Sequence, residues 1–217
     1  MMIPPTAIFS ELYNAPERKI RSAIRGFKRE IGRLKRIIED PDKEDLICPS
    51  HGVQLEMYRE YLECAITALT GSGFEYTPSK REERSLAFNE RLSDLRRLDF
   101  SFGGYFEGYS RYVINFGDGD GAEITHTRGL GDEETVGGAV ISKQGCICAL
   151  RDLYMGEWKT RYSTEALDGV EWGLKLEFFH SDGKRFYGSN AFPFSYEKLI
   201  ALCRNLCSDE ENRAGDL

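Results

Sequence analysis

The chain has 217 residues, 41% apolar and 12% aromatic, enough to fill the core of one domain or two small ones. No charged opening followed by an apolar run and no eighteen uncharged apolar residues in succession occur, so neither a secretion signal nor a membrane span is expected, and the cytoplasm is the simplest compartment. A formal charge of −7 argues against a protein that coats nucleic acid with its whole surface, although a local basic patch can still bind phosphate.

The charge is unevenly placed. Between Arg18 and Arg36 nine basic residues accompany one acid, Glu30, so this segment carries +8 and the remainder −15. Within it Ile20, Ile24, Phe27, Ile31, Leu34 and Ile38 recur at alternating steps of four and three, which is a heptad seam. A helix is expected from Pro16, a residue favoured in the first turn, to just before Pro41. Its candidate interaction face is Arg18, Arg21, Arg25, Lys28, Arg29, Arg33 and Arg36. Three readings compete: a solvated face paired with the chain's own acids, such as Glu39 to Asp45; a homodimer through the seam; and contact with nucleic acid or an acidic partner, for which interleaved aromatics are missing.

After the acidic turn a second helix is expected, with Leu55, Tyr58, Leu62, Ala65, Ile66 and Leu69 on one face, antiparallel to the first. Gly71-Ser72-Gly73 stops it, and the capping box Ser79 to Glu82 opens a third, with Leu86, Phe88, Leu92, Leu95 and Leu98 facing inward. Strands are expected over 100–106 and 109–116, then across Gly117-Asp118-Gly119-Asp120-Gly121 over 122–128, with Ile124 and His126 on one side. From Ser142 to Tyr162 the stripe Ile147, Leu150, Leu153, Tyr154 and Trp158 reads as helix. Asp168-Gly169 turns the chain into a strand in which Val170, Trp172, Leu174, Leu176 and Phe178 alternate with polar residues. Asp182-Gly183 is a type I′ signal that pairs 185–188 back on it. Ser195 should cap a closing helix to about Cys207, and 208–217 reads as a disordered acidic tail.

No reactive constellation emerges. The six cysteines read as free thiols, since Cys48-x-x-His51, Cys146-x-Cys148 and Cys203-x-x-x-Cys207 lack the paired knuckles of a zinc site. His51, His126 and His180 sit in separate segments, and no nucleophile elbow is present. The loop Gly117 to Gly121 is followed by strand rather than helix and so reads as a polar turn, neither a phosphate cradle nor a calcium loop. No catalytic, cofactor or metal residue is assigned.

Over its C-terminal half the chain carries Trp158-x-x-x-Tyr162, Asp168-Gly169-x-x-Trp172-x-Leu174, Asp182-Gly183 and Gly188-Ser189-Asn190-Ala191-x-Pro193. This string resembles a recurrent domain of uncharacterised proteins from Gram-positive bacteria. The resemblance implies a compact helix, hairpin and helix unit and no activity. Gly188 and Asn190 tolerate positive φ and Pro193 fixes the entry to a helix, so the motif can be architectural. Trp158, Tyr162, Trp172 and Asn190 are also the candidate lining of a ligand groove, against which stands the reading that both tryptophans fill the core.

The expectation is therefore an α+β protein: a helical region over 1–98, made of a hairpin plus a third helix, then over 99–207 an antiparallel sheet of about five strands covered by two helices. Its expected role is a non-enzymatic module for an unknown protein partner, with no cofactor and no membrane. The alternatives are nucleic-acid binding through the basic helix and an enzyme or small-ligand binder using a groove near Trp172 and Asn190.

Overall fold

The structure, a computed structural model, describes residues 3–40, 42, 47–104, 108–129, 134–165 and 169–208. The fold is α+β, and its contacts divide the chain into two units, Met1–Ser79 and Lys80–Leu217.

In the first unit the heptad stripe becomes α2 (Glu17–Ile38), preceded by α1 (Pro5–Tyr13), which the sequence reading did not anticipate. α3 (His51–Gly71) returns along α2 as the second arm of a hairpin, and its N-terminus is closed by Ser50 Oγ, which accepts from the Val53 N–H at 3.3 Å. Ile8 and Leu12 of α1, Ile20 and Ile24 of α2, and Tyr61, Ala65, Ala68 and Leu69 of α3 form one buried cluster. Of the face expected for α3, Leu55, Ala65 and Leu69 are buried, but Tyr58, Leu62 and Ile66 are only half-buried while Tyr61 and Ala68 go inside. The cause is α1: α3 packs against two neighbours, so its buried arc is wider than the stripe that one partner needs.

The second unit begins with α4 (Lys80–Arg91). Of its expected inward face only Phe88 lies buried on the helix; Leu86 is exposed, Leu92 falls in a short 3-10 turn, and Leu95 and Leu98 belong to strand β1 (Leu95–Gly104). The change from helix to sheet thus falls at Leu95, not near 98, and α4 belongs with the sheet. A bulge between Leu95 and Arg97 puts Leu95 and Leu98 on one face despite their three-residue spacing, which is why the run imitates a helical stripe.

The strands that follow are β2 (Gly108–Phe116), β3 (Gly121–Gly129), β4 (Glu134–Ser142), β5 (Arg161–Ser163), β6 (Glu171–Phe178) and β7 (Lys184–Ser189). They lie in the order β4-β3-β2-β1-β6-β7-β5, antiparallel except for β5 beside β7. Seven strands replace the five expected, because β4 and β5 carry no clear apolar alternation of their own. The helix read over 142–162 is much shorter: α5 (Lys143–Arg151) ends, Tyr154 adopts φ 51°, and a 3-10 turn leads to β5. β6 alternates as expected, and 184–189 pairs back on it. The turn type differs, since neither Asp182 nor Gly183 has positive φ. The connection is a five-residue loop tied down by Asp94, whose carbonyl accepts the Phe179 N–H at 3.0 Å and whose carboxylate accepts the His180 N–H at 2.9 Å.

α6 (Tyr196–Ser208) packs on β3 and β4, and α5 on β4. On the covered face lie Leu98, Phe100, Ile114, Leu174, Leu176 and Phe186, all essentially without exposure. The acidic tail beyond 208, residues 105–106 of the first expected strand, Asp168 of the expected turn, and 41 and 43–45 of the acidic linker lie outside the described residues. Among the described residues no helix is long and apolar enough to cross a membrane.

Candidate functional site

α2 presents two different faces. Its seam is occupied within the chain: Ile20, Ile24, Ile31 and Leu34 are buried, with Phe27 and Ile38 half-buried. Glu17–Ile38 holds nine basic and two acidic residues, so the opposite face is strongly positive. Part of it is neutralised locally. Arg21 pairs with Glu17 at 2.7 Å and donates to the Glu75 carbonyl, Arg33 pairs with Glu30 at 2.8 Å, Lys19 with Glu11 at 2.9 Å, and Lys28 stands 5.0 Å from the Tyr76 ring centre. Lys35 is buried, and Arg36 donates to the Gly32 carbonyl.

Arg18, Arg25 and Arg29 are different: they are exposed and form no ion pair among the described residues. At 100° per residue these three and Arg36 fall within about 40° around the axis, a straight line running roughly 27 Å along the helix. Ser22 and Gly32 lie beside it. Gly32 and nearby Gly26 have open space where a Cβ would stand, so neither is required by packing.

The tryptophan and asparagine motif is packed and hydrogen-bonded within the second unit. Trp158, Tyr162 and Trp172 are buried, and the Trp172 ring lies 5.4 to 6.3 Å from those of Tyr196, Tyr162 and Trp158. Trp172 Nε1–H donates to the Ala191 carbonyl at 2.9 Å. Trp158 Nε1–H donates to Ser195 Oγ at 3.0 Å, and that hydroxyl donates to the Leu153 carbonyl at 2.6 Å, so Ser195, which stands just before α6 and whose carbonyl accepts the Leu199 N–H, also joins a turn to the start of that helix. Tyr162 Oη accepts the Lys159 N–H. Asn190 adopts φ 53°; its Oδ1 accepts the Val170 N–H at 2.9 Å and its own N–H donates to the Val170 carbonyl at 3.0 Å, fastening the end of β7 to the start of β6. Gly188 is not at positive φ; a Cβ there would meet Trp172 Nε1 at 2.4 Å, so its role is close approach. Of the four residues expected to line a groove, Trp158, Tyr162 and Trp172 are buried and Asn190 is half-buried, and Tyr162 and Trp172 also border a cleft on the open side of the sheet.

An open surface exists on the other side of the same strands. Alternation sends Arg97, Asp99 and Ser101 of β1, Arg111 of β2, and Glu171, Gly173, Lys175 and Glu177 of β6 away from the helices. Much of this face is self-neutralised. Arg111 grips Asp99 through Nε and Nη2 at 2.8 and 2.7 Å, Arg97 reaches the same carboxylate at 3.4 Å, and Lys175 pairs with Glu177. The Arg111 guanidinium holds the Asp99 carboxyl below the usual carboxylate range against the opposing effect of burial.

Two clefts mark the ends of this face. One, of about 510 Å³, lies between Arg97, Asn115, Glu123, Val140 and Phe179. The other, of about 390 Å³, has Ser101 and Gly173 as its floor and the half-exposed rings of Tyr109 and Tyr187 beside them. Tyr162 and Trp172, two of the residues expected to line a groove, border this second cleft, while Glu171 and Gly173 were legible only as the polar half of the β6 alternation, opposite Trp172 and Leu174.

On the covered face His126 stacks on Tyr112 at 4.2 Å between ring centres, inclined 7°, and its buried Nε2 has no hydrogen-bond partner among the described residues. Burial, and then Arg128 and Arg204, lower its pKa. All six cysteines are free; burial pushes Cys146 up to about 12 and Cys203 upward as well, so these two act as small core residues. Among the described residues no group of three or more His, Cys, Asp or Glu side chains is placed to hold a metal ion. Comparison with protein-family models, with curated proteins and with solved structures gives no match.

Proposed function

We propose that the protein is a binding module acting in the cytoplasm, and that it meets an acidic protein partner along the arginine line of α2. The observation that carries this reading is the line of Arg18, Arg25 and Arg29, unpaired among the described residues on a helix whose other cations are locally engaged. An exposed guanidinium is well hydrated and costs little to leave unpaired, so such a line persists without a partner and adds steering when an anionic one approaches. From Arg18 to Arg29 the line runs roughly 16 Å, about three helical turns, which suits an acidic helix laid alongside.

Nucleic acid is the second reading. It is less favoured because no aromatic interleaves the arginines to stack on bases, and the chain's −7 charge opposes a long polyanion. A homodimer through the N-terminal helices has less support still: the seam is already occupied, and pairing the remaining faces sets arginine against arginine. The resemblance of the C-terminal half to a Gram-positive bacterial domain fits a bacterial module of this kind and adds no activity to it.

Fluorescence anisotropy of the whole protein against a glutamate-rich helical peptide, a DNA duplex and single-stranded RNA tests the reading. The peptide is expected to bind most tightly, with affinity falling as salt rises, and Arg25→Glu with Arg29→Glu to weaken it at least tenfold. Tighter binding of a nucleic acid hands the surface to the second reading. No binding of any of the three at low salt overturns both, and saturable turnover of a small molecule by the purified protein overturns the non-enzymatic assignment.

A further inference from the structure

The 390 Å³ cleft on the open sheet face lies in the second unit and owes nothing to the arginine line. Its volume falls within the range of small-ligand pockets, about 300–1,000 Å³. The sheet register builds it. Across one row run Ser101 of β1, Gly173 of β6, Tyr187 of β7 and Arg161 of β5; in the next row Glu171 pairs with Ser189, and Ser189 with Ser163. The absence of a side chain at Gly173 makes the depression: a Cβ there meets only Ser101 Oγ, at 3.8 Å, so the gap is not required by packing.

From this geometry we infer that the cleft binds a neutral polyhydroxylated ring, that is, a saccharide unit. Two tyrosine rings, each nearly half exposed, stand on an otherwise charged face and offer flat apolar surfaces to the C–H face of a sugar ring. Around them Ser101, Ser163 and Ser189 supply hydroxyls that both donate and accept, which is what sugar hydroxyls require. Arg161 adds planar donors and Glu171 a planar acceptor. These two lie in the same cleft without pairing with each other, and among the described residues Glu171 is hydrogen-bonded only by the Tyr109 hydroxyl at 3.4 Å, so both retain hydrogen-bonding capacity for a ligand. One cation and one anion leave the lining without net charge, which selects a neutral ligand over a phosphate or a polyamine. The cleft is open to solvent, so the expected affinity is modest.

Saturation-transfer NMR on the full chain with glucose, galactose, mannose, N-acetylglucosamine and their disaccharides, followed by titration of any that respond, tests the site. At least one is expected to bind with millimolar or better affinity. Tyr187→Ala and Glu171→Gln are each expected to weaken it about tenfold. Gly173→Val fills the floor and is expected to abolish binding without lowering Tm, which separates loss of the site from loss of the fold. Arg185→Ala, on β7 outside the cleft, should leave binding unchanged. No response from the whole panel, binding unaltered by Gly173→Val, or a preference for free amino acids over saccharides overturns the inference.

Discussion

The two units carry their charge in opposite ways. On the open face of the sheet, Arg111 pairs with Asp99 across two strands, Arg97 with Asp99 along β1 and Lys175 with Glu177 along β6, so the surface is charged but internally balanced. On α2 the acids are few and local, and a line of arginines is left over. The contrast shows why residue counts alone do not locate function. A balanced lattice offers little to a charged partner, and in the tyrosine-lined cleft, one of its two depressions, hydrogen-bonding capacity is left for a ligand. The α2 line offers long-range attraction. One surface suits recognition by shape, the other by charge.

Five measurements break or sharpen this contrast. The largest effect belongs to the covered face behind the cleft: Trp172→Ala removes a buried ring and its bond to Ala191, and should lower stability in chemical denaturation by about 3–5 kcal/mol. A loss under 1 kcal/mol would mean the ring is not a core pillar, and the ligand-groove reading would return. Asn190→Ala should cost about 1–3 kcal/mol, because both the left-handed backbone and the bond to the Val170 N–H suffer, whereas Asn190→Gly keeps the backbone and should cost less. Equal losses for the two would show that backbone conformation plays no part.

Charge reversal at Arg25 and Arg29 should leave stability within about 0.5 kcal/mol of the parent while weakening the acidic peptide at least tenfold. A large stability loss would place these arginines in the fold rather than on a free surface. His126 supplies a pH test for the second unit. Its folded pKa lies below the ordinary 6.5, so the unfolded chain takes up the proton first; stability from this group is complete above 6.5 and declines as pH falls through that value. Thermal melts between pH 8 and 5 should show that decline, and His126→Gln should flatten it. The smallest effect is Gly32→Ala: with open space at the Cβ, the helix should gain up to about 1 kcal/mol. If peptide affinity also drops, the glycine allows a close approach by the partner.

The sequence by itself determined the elements with one strong periodicity. The heptad of α2 and the alternation of β6 each need a single apolar neighbour, and that requirement is written in the spacing of Ile20 to Leu34 and of Trp172 to Phe178. It also determined that nine cations would share one helix. Only the tertiary structure decided which of them stay free, because pairing depends on where Glu11, Glu75 and Tyr76 arrive from elsewhere in the chain. It likewise decided the fate of Leu95 and Leu98, whose bulged strand imitates a helix, and of Trp158, Tyr162, Trp172 and Asn190, whose spacing is equally compatible with a groove and a core. The cleft was hidden for the same reason. Its floor is a glycine and its walls come from five strands, so the depression exists only once the register sets Ser101, Gly173, Tyr187 and Arg161 side by side.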